Sequence, residues 1–279
     1  MSRFIALLTL LLTTSLAWSQ ALVLSTQPLY LIAKEVTQGV ETPVLLLEHQ
    51  SGHDISLTPE HRKTIQQANL VIWLGKAHEA PLEKLLSDEK KAVALLDSGI
   101  MSTLPQRSVR GEVLANTVDT HVWLDPNNAV RIGFFIAALR SQQMPEHREQ
   151  YWKNAKAFAH ELLMTAQKMQ STGAAKPYWA YHDAYQYLER ALNLKFAGAM
   201  TSDPHVAPTV SQIKYLNEQR PANTMCLLAE GHASQNQYQN LKPVSFAKVD
   251  ESMSGVGDFI QGWVALANTT QKCVLSARK

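Results

Sequence analysis

Two rhythms of apolar and polar positions run along this chain, and the switches between them mark out its elements. Residues 22–26 read as a short buried strand that leads into residues 27–36, where the apolar positions recur at helical spacing. The unit then repeats, with strands predicted at 42–47, 70–74 and 92–96 and helices at 59–67 and 80–86. Short apolar strands alternating with helices argue for a parallel sheet with helices on its faces. From Asn127 the pattern is helical for some forty residues, broken only at Met144-Pro145, and Pro145 belongs in the first turn of a new helix rather than inside one. That second helix carries Tyr151, Ala155, Phe158, Leu162 and Met169 on one face. At roughly 25 residues and ~1.5 Å per residue it would be about 37 Å long, either an ordinary core helix or a rigid strut between lobes. The α/β alternation then returns, with strands at 178–181, 195–198, 225–229 and 244–249 and helices at 184–192, 209–217 and 259–275. The fold class that follows is α/β, with two lobes of mainly parallel sheet at 22–143 and 172–279 joined by a long helix over 144–171.

The first residues follow a different pattern. An apolar run at 4–12 behind Arg3 passes into small and polar residues up to Ala21, the layout of a secretory signal peptide at 1–21, cut after Ala21 or after Ser19. The run is too short for the ~30 Å of a bilayer core. Cys226 and Cys273 are the only cysteines, so no lipid-anchor site lies near the cut and no membrane anchor is expected. In an oxidising compartment these two can form one intramolecular bridge, which is favoured over free thiols. The chain has 279 residues, 46% of them hydrophobic, which is ample for one large core or two smaller ones and excludes a disordered protein. Lys and Arg number 26 against 24 acidic residues, without long like-charge blocks, so no nucleic-acid partner is expected.

Candidate chemistry rests on histidine. Of ten, His61, His78, His147 and His160 fall on amphipathic helices or polar loops and read as solvated surface residues. His53, His121 and His182 instead stand where the chain changes direction, at the end of a predicted strand or in the following loop, the place where open α/β sheets hold ligands. Three imidazoles with one carboxylate match the tetrahedral ligation that zinc accepts. The chain has no His-Glu-x-x-His motif, no Gly-x-Ser-x-Gly elbow and no phosphate-cradling glycine loop, so binding is favoured over turnover.

The segments around these histidines are Gly52-His53-Asp54-x-x-Leu57-x-Pro59, His121-x-Trp123-Leu124-Asp125-Pro126 and Tyr181-His182-Asp183-Ala184-Tyr185-x-Tyr187. In this order and spacing, and with Cys226-Leu-Leu-Ala-Glu230 and Cys273 further on, the chain resembles the periplasmic metal-binding receptors of ABC importers, and among them the ZnuA-like zinc receptors. The resemblance implies two α/β lobes joined by one helix, with a metal in the cleft between them. It implies ligation by His53 and His121 from the first lobe and His182 from the second, with Asp250 of Lys248-Val-Asp-Glu-Ser, a water or an extra histidine in the fourth position, and a bridge between Cys226 and Cys273. Related manganese receptors typically carry a glutamate at the position of His182, so a histidine there favours zinc, a receptor for manganese or another divalent metal being the alternative. Two departures stand out. Gly52 replaces a glutamate found in some zinc receptors, and residues 98–119 hold no histidine where many carry a histidine-rich run, which implies one tight Zn2+ site. Asp54 and Asp183 could orient the neighbouring imidazoles, and His49, His205 and His232 are extra histidines at loop positions. The implied function is capture of Zn2+ in a Gram-negative periplasm and delivery to the membrane permease of a zinc ABC transporter, by a monomer that performs no chemistry. Its rivals are a secreted zinc hydrolase, with Glu230 or Asp250 as base, and a surface adhesin.

Overall fold

The computed structural model describes residues 21–48, 55–230, 238–241 and 243–277; residues 1–20 and His49, His53 and His232 lie outside the described residues. The first half begins with the fully buried strand β1 (Leu22–Leu24) and helix α1 (Gln27–Thr37), which Pro28 starts. There follow β2 (Val44–Leu45), α2 (Pro59–Gln67), β3 (Leu70–Trp73), α3 (Glu83–Leu86) and β4 (Ala92–Ala94). Helix α2 starts at Thr58 because its side chain accepts from the His61 amide while His61 Nδ1 accepts from the Thr58 amide, a reciprocal cap that explains the placing of His61. The four strands are all parallel, in the order β2-β1-β3-β4.

Two helices connect the halves. Helix α4 (Pro126–Gln143) is capped by Asp125, whose side chain accepts from the Asn127 amide, and α5 (Arg148–Met169) has 22 residues, about 33 Å. The second half contains β5 (Lys176–Ala180), α6 (Leu188–Leu192), β6 (Leu194–Ala199), α7 (Val210–Glu218), β7 (Met225–Ala229), β8 (Val244–Lys248) and α8 (Phe259–Ser276). Its strands are again parallel, ordered β6-β5-β7-β8. The expected α/β class with two parallel sheets and a long helix is therefore present. The strut and the core helix are one object: Tyr151, Ala155, Phe158 and Leu162 of α5 are buried, and α5 packs on α1 and α4 of the first half and on α6 and α8 of the second. One apolar cluster consequently runs from Leu22 to Ala277. Among the described residues no helix is long and apolar enough to cross a membrane.

Cys226 in β7 and Cys273 in α8 form the disulfide, with 5.3 Å between their Cα atoms. The helix predicted over 184–192 is shorter than its apolar spacing suggested, and only Leu188–Leu192 is helical. Residues 182–187 turn instead, and Gln186 and Tyr187 bond to residues 104–119 of the first half.

Where α1 meets α8, Glu35 is half-buried beside Asp258 and Glu161. Burial first, and then the Asp258 charge, push its pKa from 4.5 to about 7. A carboxyl that is harder to ionise when folded destabilises the fold progressively as pH rises from about 4.5 to about 7. Glu35→Gln should leave stability unchanged near pH ~4 and raise it by about 1 kcal/mol near pH ~8, a figure reduced for solvent screening. Denaturant melts at the two pH values measure the difference.

Candidate metal centre

The strand order of the second sheet assembles half of the site. Because β5, β7 and β8 are parallel neighbours, the residues just beyond their carboxyl ends lie side by side, the usual place for a ligand in such sheets. These residues are His182, Glu230 and Glu251, all buried, with His182 Nδ1 2.7 Å from Glu230 Oε1. Burial alone would favour the neutral His182 ring, but the Glu230 contact and the Glu251 charge outweigh it and hold the pKa above the ordinary histidine value.

The first half contributes His121, 5% exposed, which opens the short 3-10 turn Val122–Leu124 ahead of α4. Its Nδ1 lies 2.8 Å from Asp119 Oδ1, which also accepts from the His121 amide. The His121 and His182 rings face each other across the cleft, with centroids 5.6 Å apart. Each ring thus sets Nδ1 against a carboxylate, and an Nδ1–H donated there leaves the Nε2 lone pair as the metal-binding one. Two imidazoles bound to one ion at ~2.0–2.1 Å have centroids within about 6 Å, and this pair meets that limit. Both rings line a cavity of about 220 Å³ together with Arg107, Asp119, Asp183 and Asp203.

The structure distributes the other expected residues differently. Asp250 spends both carboxylate oxygens on the turn that follows: Oδ1 accepts from the amide and hydroxyl of Ser252, and Oδ2 from those of Ser254. Its neighbour Glu251 is the buried carboxylate, and Glu251 Oε2 has no hydrogen-bond partner among the described residues. Burial and the nearby Glu230 push the Glu251 pKa up to about 8, with His182 opposing. Asp183 pairs not with an imidazole but with Arg107, while Asp119 and Glu230 take the orienting role. His205 is exposed, and His53 lies outside the described residues. Among the described residues no three His, Cys, Asp or Glu side chains converge to hold a metal.

His78 corrects the surface reading of its segment, being 8% exposed, with Nδ1 2.8 Å from Thr120 Oγ1. Its ring lies 5.5 Å from Trp123 and 6.1 Å from His121. The turn after β3 brings it inward because Glu79 Oε2 accepts from the Leu74 and Gly75 amides and closes that turn. Its position in the loop that follows β3, like that of His182 after β5, was the available signal.

Residues 98–119 lie against the second half. The Val109 carbonyl accepts from the Ala199 amide and Gln212 Nε2. Gly198 makes that approach possible: its φ is +128°, and an added Cβ would sit 2.6 Å from Leu216 Cδ2 and 3.3 Å from the Val109 oxygen. Gly198→Ala should cost about 1–3 kcal/mol, read from chemical denaturation.

The family model described as ZnuA, zinc-uptake complex component A, periplasmic, matches residues 22–256. The high-affinity zinc uptake system protein ZnuA of Haemophilus ducreyi is 29% identical over 254 residues, covering 81% of this chain and 82% of that protein. The protein of the same name from Brucella abortus is 28% identical over 255 residues, covering 76% of each. In fold, Zn(II)-bound AdcA from Streptococcus pneumoniae superposes with a TM-score of 0.73 at 21% identity, covering 92% of this chain and 58% of that one. With that match spanning both sheets and the paired histidines between them, this chain belongs to the ZnuA family of periplasmic zinc-uptake components.

Proposed function

We propose that this protein captures one Zn2+ ion between its two halves and delivers it to the membrane permease of an ABC importer. The observation that carries this reading is the facing pair His121 and His182, one from each half, each with a carboxylate on Nδ1. His53 is proposed as the third nitrogen ligand. For the oxygen ligand, buried Glu251 suits the role better than Asp250, whose oxygens hold a turn. The family relationship supports a receptor rather than an enzyme, and the apolar run at 4–12 supports export by a leader ending near Ala21. We place the lobes at 22–143 and 172–279, with 144–171 between them, and take the mature protein to be an unanchored monomer.

The test is a competition titration of chelator-stripped protein with zinc against manganese, read for stoichiometry and affinity together. One tight zinc per chain with weak manganese is the expected result. Preference for manganese would mean that a histidine at position 182 does not select zinc, and no tight metal would end the receptor reading.

A further inference from the structure

We propose that Arg107 is a positioning residue for the metal site, fastening the turn that carries His182 to the segment that ends at His121, so that the two imidazoles are aligned before metal arrives. The proposal rests on the receptor reading above and concerns how its two halves are held in register.

Arg107 is nearly buried, and its guanidinium is engaged through Nε and Nη2. Nε donates to Asp183 Oδ2 and Nη2 to Asp183 Oδ1, both at 2.8 Å, and Nη2 lies 2.7 Å from Glu189 Oε1. The plane sits 4.2 Å from the centre of the Phe196 ring. A two-pronged pair of this kind sets direction as well as distance. Its partner Asp183 directly follows His182, so the pair fixes the backbone from which that imidazole projects.

The other end of the link is equally tied. Residues 104–119 double back on themselves: the Asp119 amide donates to the Leu104 carbonyl at 2.8 Å, the Gln106 amide to Thr117 Oγ1 at 2.9 Å, and Arg107 bridges Val113. Arg107 and Asp119 therefore move together, and Asp119 holds His121. The turn of the second half grips both legs of this segment. Gln186 Nε2 donates to the Pro105 carbonyl and to Asp119 Oδ2, and the Tyr187 hydroxyl donates to the Asp119 carbonyl and accepts from the Leu104 amide. Of these contacts only the one made by Arg107 is a charged, two-pronged pair. A stretch of chain without histidine thus acts on the metal from one step away, by holding the ligands and not by binding the ion.

Arg107→Gln, Arg107→Lys and Asp183→Asn test this, each checked for folding by circular dichroism before zinc competition and for geometry by the visible spectrum of the Co2+-loaded protein. Arg107→Gln and Asp183→Asn should each weaken zinc about 10–100-fold, the range for groups that orient a ligand, and should change the intensity and position of the Co2+ bands. Arg107→Lys keeps the charge but loses the second prong, and should fall between Gln and wild type. If one variant fails to fold, the other still decides the matter. Wild-type affinity and Co2+ spectrum in a folded Arg107→Gln or Asp183→Asn protein would overturn the proposal while leaving the receptor reading intact. A wild type that binds no zinc would overturn both.

Discussion

Replacing His121 or His182 by alanine should weaken zinc binding at least about 100-fold while leaving the protein folded. Losing only a group that orients a ligand costs about 10–100-fold, and losing the ligand itself removes a metal–nitrogen bond as well. The fold should survive because both rings line the cleft, and the apolar cluster that joins the sheets does not include them. Asp119→Asn and Glu230→Gln should show the smaller, orienting effect, because a neutral side chain at 2.7–2.8 Å still accepts a hydrogen bond from Nδ1 but no longer polarises the ring. Competition with a chelator of known affinity measures all four variants on one scale. Alanine variants that bind zinc as wild type does would show that the ion sits elsewhere.

The second large effect belongs to the disulfide. Cys226 and Cys273 lie 47 positions apart, and in the chain-entropy model closing a loop of that length stabilises the fold by about 4 kcal/mol. Both residues are buried where α8 packs on β7 and β8, so the bond also keeps the last helix on the sheet whose strand ends carry His182, Glu230 and Glu251. Cys226→Ser/Cys273→Ser, or reduction of the wild type, should lower the thermal midpoint by about 10 °C for a chain of this size. Zinc should restore part of that loss, because a ligand that binds only the folded state stabilises it by mass action. A midpoint unchanged on reduction would mean that the helix packing alone holds this edge of the fold.

The parallel sheets and long helices were legible because their apolar rhythm is a local property: α2, β7 and α8 lie within a residue of where spacing and caps put them. His182 was legible for a related reason, since it stands just past the end of β5, where α/β sheets hold ligands, whereas His121 follows no strand and was legible from the His121-x-Trp123-Leu124-Asp125-Pro126 motif that carries the family resemblance. What escaped is decided by tertiary contacts. Glu230 meets His182 across 48 positions and Arg107 meets Asp183 across 76, and no local pattern encodes either pairing. Asp250 and Glu251 are adjacent carboxylates in a turn, where no periodicity says which one faces inward; Ser252 and Ser254 decide it by binding Asp250. His78 was misjudged because its polar neighbourhood resembles a surface loop, whereas the Glu79 carboxylate folds that loop inward. The helix expected at 184–187 gave way because Gln186 and Tyr187 bond to the other half.

The proposed zinc site draws imidazoles from both halves. X-ray absorption at the zinc edge of the loaded wild-type protein tests it directly. Four-coordinate zinc with about three imidazole nitrogens at ~2.0–2.1 Å and one oxygen is the expected result, with loss of one imidazole's scattering in His182→Ala. A six-coordinate, oxygen-rich shell, or a spectrum identical in His182→Ala, would contradict it.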